Sequence, residues 1–411
     1  MSDLPHAVRV TEEGPREGFQ IEKGPIATAR KIALIDALSQ TGLDHIQVVS
    51  FVNPKAVPGM ADADDVVRGI APRKGVAYTA LWLNKKGFER ALQFSDRLAN
   101  SGTIQLSASE KFSLRNQNRS AAQQLAEQHA IVESYKSAGV PVERGSIMAA
   151  FGCNFEGDIP VARVVALVQQ ILDVAQEHAV TLKYITLADT MAWAAPLAVK
   201  RVVGTLRERW PDLDIALHLH DTRGMAIANA YAGLEMGVRR FDSSVAGLGG
   251  CPFAGHQGAA GNVCTQDLVF LCDELGIATG IELDALIECA QLAEDIVGHP
   301  PARLGHERRH AGTVSGVTSR SARPRGSRVP RSRIPAYPSP LIFQIPVAFA
   351  TTRVPTTSLH CMKMIARVSR TTSQCASTNS PTRTAPTNCI FNSMVACDLL
   401  PEARSAVMPM A

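Results

Sequence analysis

Across residues 8–298 the chain alternates short β-rich runs with longer segments of helical periodicity, and that alternation limits the fold to the α/β class. Eight runs read as strands: 8–14, 45–51, 76–83, 103–109, 145–151, 183–189, 215–221 and 239–247. The segments between them, such as ATARKIALIDALSQTG and VARVVALVQQILDVAQEHA, repeat apolar residues at i, i+3 and i+4. Several stop at the glycine that a left-handed cap favours, as at Gly42, Gly139 and Gly237. Eight strand–helix units predict a (β/α)8 TIM barrel over 8–298, with a doubly wound open sheet as the alternative. In a barrel the chemistry sits on the loops after the strands. Polar residues gather there: Arg16 and Glu17, Ser50, Asp189, His218 to Asp221, and the run from Gly247 to Cys251.

After residue 300 the alternation stops. Residues 301–411 carry 15 Lys and Arg against 3 Asp and Glu, net +12, so the overall +4 conceals a net −8 in the first 300 residues. This region holds 12 of the 24 prolines, and GTVSGVTSRSARPRGSRVPRSRIPAYPSP is rich in Arg, Ser and Pro. Such a composition predicts a long disordered C-terminal tail rather than a second core. A shifted reading frame in GC-rich DNA yields the same residues; a neutral linker, a regulatory tail and a nucleic-acid-binding arm are the other readings. Nucleic acid is disfavoured as a partner because the acidic body offers no basic face. No window approaches 18 apolar residues, and the start MSDLPHAVRV has neither a charged nor an apolar leader region, which excludes a membrane span and predicts a cytoplasmic protein. Nine cysteines without a C-x-x-C pair argue for reduced thiols rather than a disulfide framework or zinc knuckle.

His218-x-His220 carries the strongest chemical signal. Residues i and i+2 of a strand point to one side, so both imidazoles can meet one divalent ion at the barrel mouth. The alternative is one histidine filling the barrel and the other capping the next helix. Asp221 can anchor a second shell. Glu17 and the amide oxygen of Asn262 would complete an O/N ligand set, which suits Mg2+ or Mn2+ better than structural zinc. Arg16 can neutralise an oxyanion or clamp a carboxylate; its bland role is an ordinary ion pair. The Gly-rich run AGLGGCPFAGHQGAAGN (246–262) fits neither a Walker nor a dinucleotide motif. Its flexible glycines flank Cys251, whose thiol can relay a proton or act as a nucleophile, or simply sit inert in a turn.

The segments GPREGFQIEK, SFVNPKAVPGMAD, SASEKFSLRNQN, LADT, LHLHDTRGMAIANA and DSSVAGLGGCP resemble, in that order, the hydroxymethylglutaryl-CoA lyase family, metal-dependent barrels related to the isopropylmalate and citramalate synthases. The likeness spans roughly 8–298, and GLGGCP with the downstream GN is its most specific part. It implies retro-Claisen cleavage of 3-hydroxy-3-methylglutaryl-CoA to acetyl-CoA and acetoacetate, as in leucine degradation. It further implies Glu17, His218, His220 and Asn262 as metal ligands and Arg16, His218 and Cys251 as catalytic residues. Arg16, Gln20, Gln47, Ser50, Asp189 and Thr190 would contact an acyl-CoA thioester.

Some positions depart from the family pattern. Glu17 stands where an Asp is usual, Gln47 and Gln266 where acids are usual, and Arg223 where an aromatic is usual; the loop between Cys251 and Asn262 has two extra residues, read as Gly255 and His256. These changes predict a more positive pocket and a related substrate, such as citramalyl-CoA or a bulkier 3-hydroxyacyl-CoA. A Claisen-condensing acyltransferase on the same fold and a degenerate, non-catalytic barrel are the other readings. An apolar helix exposed near 281–297 would suit a subunit contact and hence a homodimer.

Overall fold

The computed structural model describes residues 4–22, 24–250 and 261–298. Cys251, the inserted loop residues and the 301–411 tail lie outside them. All eight expected strands form, six of them shorter than their sequence runs, β4 starting one residue early and β5 lying three residues earlier than expected: β1 (Arg9–Glu12), β2 (His45–Ser50), β3 (Ala77–Leu81), β4 (Gly102–Ser107), β5 (Val142–Met148), β6 (Tyr184–Asp189), β7 (Ile215–Leu219) and β8 (Arg240–Ser243). Every ladder among them is parallel, and the order is β3-β2-β1-β8-β7-β6-β5-β4. Sequence neighbours lie side by side and β1 pairs with β8, so the sheet curls into a (β/α)8 barrel, and the open-sheet alternative falls. The one junction without a ladder is between β3 and β4.

The strands alternate with period two. Ile46, Ile104, Ile147, Ile185, Leu187, Leu217 and Phe241 are fully buried on the helix side. Helices α1 (Thr28–Leu38), α2 (Ala63–Gly69), α3 (Lys85–Leu92), α4 (Glu110–Gln117), α5 (Ala121–Ser137), α6 (Val161–Glu177), α7 (Pro196–Arg209), α8 (Ala226–Glu235), α9 (Thr265–Leu275) and α10 (Leu283–Val297) follow the strands. In α6, Val164, Leu167, Val168, Ile171 and Val174 recur at three- and four-residue steps and are buried in the core. The opposite strand face carries Gln47, Thr79, Thr103, Gln105, Arg144, Ser146 and His218, which line a cavity of about 270 Å3. Barrel interiors are usually filled by layers of Val, Ile and Leu; this one is polar and hollow.

The apolar surface expected at 281–297 is absent. In α10, Leu286, Cys289, Ala290 and Ala293 face the core, whereas Asp284, Glu288, Gln291 and Asp295 are exposed. Among the described residues no helix is long and apolar enough to cross a membrane.

Candidate active site and metal centre

The chain leaves β1 through a widened helical turn, Gly14–Gly18, whose five residues are all buried. Glu12, at the end of β1, is fully buried and holds this turn against the segment that follows β8. One carboxylate oxygen accepts from the amides of Gly14 (2.7 Å) and Val245 (2.8 Å), and the other from the Thr265 hydroxyl (2.6 Å). Burial outweighs these bonds and raises its pKa to about 7. The first and last strand loops are thereby tied together, and that linkage brings Arg16 and Glu17 over the mouth beside Asn262.

His218 on β7 and His220 just beyond it converge as their spacing predicts, with Nε2 atoms 3.2 Å apart. His220 Nε2 lies 3.0 Å from Glu17 Oε1, and its Nδ1 lies 2.8 Å from the Thr190 carbonyl oxygen. A carbonyl can only accept, so Nδ1 carries the proton and Nε2 turns its lone pair toward Glu17. Ligand atoms of Glu17, His218 and His220 all lie within 4.8 Å of one another. Asn262, paired with His220 in a short bridge, is buried, and neither polar atom of its side chain has a hydrogen-bond partner among the described residues. Buried amides are normally satisfied, so an unpaired oxygen beside two imidazoles and a carboxylate fits a divalent cation. Gly249 (φ +106°) passes so close that a Cβ would stand 3.1 Å from Glu17 Cγ and 3.2 Å from Asn262 Nδ2.

Arg16 is gripped on three sides. Its Nε donates to Gln47 Oε1, one terminal nitrogen binds Glu13, and the other lies 2.9 Å from Glu17 Oε2. Burial opposes the charge on Glu17, but Arg16 and His218 prevail and hold its pKa well below the usual carboxylate range. Burial likewise opposes a charged His218; Glu17, Glu13 and Asp242 overcome it and raise the pKa to about 9. Asp242 Oδ2 stands 3.4 Å from His218 Nδ1 and 2.8 Å from Arg144.

Glu13, Asp242 and Arg144 were not singled out from the sequence. A signal existed: Glu13 directly precedes the G-P-R turn, and Asp242 is the neighbour of His218 in the β8–β7 register. Glu13, with Glu17 and Asp242, sets acid beside Arg16, Arg144 and His218, so the mouth does not present positive groups alone. Arg223 does not add to the cavity wall either. Its guanidinium donates to the Met191 and Ala192 carbonyls (2.8 Å each) and lies over the Trp193 ring, steadying the loop after β6. Asp221, expected to support the metal shell, accepts the Ala226 amide (2.8 Å) at the start of α8.

The other sequence-derived residues sit around this centre. Gln20 and Gln47 line the cavity, and Ser50 donates to Gln20 (3.0 Å). Thr190 lines it too, and its hydroxyl accepts the Ala149 amide (2.9 Å). One oxygen of Asp189 accepts the amides of Trp193 and Ala194 (2.7 and 3.0 Å); the other is buried without a partner, and burial raises the pKa to about 6. Gln266 accepts the Ala246 amide (3.1 Å), steadying the loop after β8.

The family model described as HMGL-like matches residues 7–293. Hydroxymethylglutaryl-CoA lyase of Bacillus subtilis is 38% identical over 300 residues, 73% of this chain and 96% of that protein. The 3-hydroxy-3-isohexenylglutaryl-CoA/hydroxymethylglutaryl-CoA lyase of Pseudomonas aeruginosa is 40% identical over 296 residues, 72% and 95% of the two chains. The solved structure of an HMG-CoA lyase from Acinetobacter baumannii, in complex with coenzyme A and 3-methylmalate, superposes with a TM-score of 0.68 at 38% identity, covering 78% of this chain and 99% of that one.

Proposed function

The chain belongs to the HMGL-like family, and from that premise we propose that it is a hydroxymethylglutaryl-CoA lyase, cleaving 3-hydroxy-3-methylglutaryl-CoA to acetyl-CoA and acetoacetate. The observation that carries this reading is the convergence of Glu17, His218, His220 and the unpaired Asn262 beside Arg16 at the top of one hollow barrel.

Glu17, His218, His220 and Asn262 would hold a divalent cation, Mg2+ or Mn2+ by the hardness of the donors. When bound, such an ion supplies Lewis-acid polarisation of the substrate's hydroxyl and carbonyl oxygens. The Thr190 carbonyl fixes the tautomer that leaves the His220 Nε2 lone pair free to ligate. Loss of the hydroxyl proton starts the cleavage; the C–C bond electrons pass into the thioester, whose enolate oxygen becomes negative. Arg16 meets that charge. Glu13, Gln47 and Glu17 hold its guanidinium in place beforehand, so little reorganisation is needed as the bond breaks. His218 would keep its ring proton at Nδ1, facing Asp242, and so orient Nε2 toward the reacting hydroxyl; Cys251 delivers a proton to the enolate carbon to complete acetyl-CoA, and the proton lost by the hydroxyl restores its thiol. Gln20, Gln47 and Thr190 orient the acyl group.

The complete donor set argues against a degenerate barrel, and the GLGGCP run argues against the condensing enzyme. A reducing, cytoplasmic setting is part of the proposal, supported by free thiols at Cys153, Cys264, Cys272 and Cys289. A thioester panel assayed with and without chelator tests the reading: chelator-sensitive release of acetoacetate supports it, and no release from the metal-loaded protein rejects it. The departures at Glu17 and Gln47 favour a second reading, a related substrate such as citramalyl-CoA. A hydroxymethylglutaryl preference above about 100-fold in kcat/KM, roughly 2.7 kcal/mol, rejects that one.

A further inference from the structure

The gap between β3 and β4 is built rather than frayed. Strand edges expose amides that need partners, and here α5 supplies them. Gln128 Oε1 accepts the Gln105 amide (2.8 Å), and Gln124 Oε1 accepts the Ser107 amide (3.3 Å). Ile131 and Tyr135 continue the same helix face, one and two turns on. Both are buried; the Tyr135 hydroxyl accepts the Trp82 indole N–H (2.8 Å), and its ring packs where β4 begins with Gly102, at which a Cβ would fall 2.5 Å from it. One backbone bond, from the Ala99 amide to the Tyr78 carbonyl (2.8 Å), joins the two sides at the foot of the gap. A helix face thus replaces the missing ladder and holds β3 and β4 apart.

The barrel interior widens accordingly. The cavity that holds Arg16, Gln47 and His218 continues between the strands past Thr79, Leu81, Thr103 and Gln105 to Ile131 and Tyr135, with Leu83 at its rim. The inward residues of both seam strands are half-buried, as they are only where nothing fills the interior. Their chemistry is aliphatic and aromatic, with neutral amides and hydroxyls; the Arg119–Glu127 ion pair closes the outer end and offers no free charge.

From this we infer that the β3–β4 seam is a substituent slot of the acyl site, which takes an uncharged aliphatic chain several carbons longer than methyl on the carbon that bears the reacting hydroxyl. The inference rests on the lyase reading and assigns the substrate class: 3-hydroxyglutaryl thioesters with an extended 3-alkyl group.

Two measurements separate the slot from the chemistry. Calorimetric binding of 3-hexylglutaryl-CoA and 3-methylglutaryl-CoA, which lack the hydroxyl and cannot be cleaved, reads the slot alone. The wild type is expected to bind the hexyl compound at least as tightly as the methyl one. In turnover, 3-hydroxy-3-hexylglutaryl-CoA should be cleaved with kcat/KM within about ten-fold of the methyl substrate, and Leu83→Trp and Thr103→Leu should each lower the hexyl-to-methyl ratio by about 30-fold or more. The ratio cancels any loss of folded protein. Weaker binding of the hexyl analogue to the wild type, a discrimination against the hexyl substrate beyond about 100-fold, or a ratio unchanged in both variants overturns the slot. If neither thioester is cleaved while the hexyl analogue still binds more tightly, the slot stands and the lyase reading falls.

Discussion

Replacing Glu12 by Gln should make the protein more stable at pH 8 than at pH 5 relative to wild type. A carboxyl held at about 7 instead of 4.5 means that its ionised form costs about 3 kcal/mol more in the folded chain than in the unfolded one. Because the folded pKa is the higher, the contribution of the protonated group is complete below pH 4.5 and is lost as pH rises through 7. The amide is neutral throughout and escapes that loss. Its geometry is also accommodated: the Gln oxygen can keep the Gly14 and Val245 amides, and its NH2 group can face Thr265, whose hydroxyl then donates to Ser243, 2.8 Å away. Urea unfolding of the full chain at both pH values, in chelator so that metal linkage is constant, measures the difference. A variant-minus-wild-type stability that rises by about 2.5 kcal/mol between pH 5 and pH 8 is expected, since the wild type has already lost about 0.8 kcal/mol by pH 5. The same value at both pH values, or a fall, would show that Glu12 is ionised in the folded protein and refute the reasoning.

Four further outcomes follow from the site. His220→Ala and Asn262→Ala should each weaken Mn2+ binding on the order of 100-fold by calorimetry, with the fold intact by circular dichroism; unchanged affinity would move the metal elsewhere. Arg16→Met should lower kcat/KM by about 100- to 1,000-fold while Mn2+ affinity holds, and a loss confined to KM would make Arg16 a binding group only. Cys251→Ser should lower kcat with little change in Mn2+ binding; an equal kcat removes the thiol from the mechanism. Gly249→Ala, strained at φ +106° and crowded against Glu17 and Asn262, should cost both metal affinity and activity, and wild-type behaviour there would mean that the loop has room which its backbone does not display.

The β-strands were legible because period-two and helical patterns are local. All eight runs appear; most ends retreat by a residue or more where the chain turns into a loop, while β5 starts three residues before its expected run. The His218 and His220 pair was legible for the same reason, since i and i+2 on a strand share a face whatever surrounds them. Glu13, Asp242 and Arg144 were not: each is an ordinary charged residue in its own segment, and only the β1–β8 and β8–β7 neighbours bring Glu13 and Asp242 to Arg16 and His218, while Arg144 reaches Asp242 from β5 once the sheet has curled. Arg223 and Asp221 show the converse. Both stood in a motif that pointed to chemistry, and each also binds backbone the sequence does not place beside it: Arg223 the Met191 and Ala192 carbonyls, Asp221 the Ala226 amide.

What the amino-acid order determined by itself was the repeat: eight β-prone runs, each followed by an amphipathic segment, have few ways to bury their apolar faces other than a barrel with its loops at one mouth. Tertiary structure alone decided what stands across from what. The charge balance around Arg16, the unpaired Asn262 amide and the helix wedged between β3 and β4 depend on contacts between residues far apart in sequence. Such contacts exist only once closure of the sheet has brought those segments together.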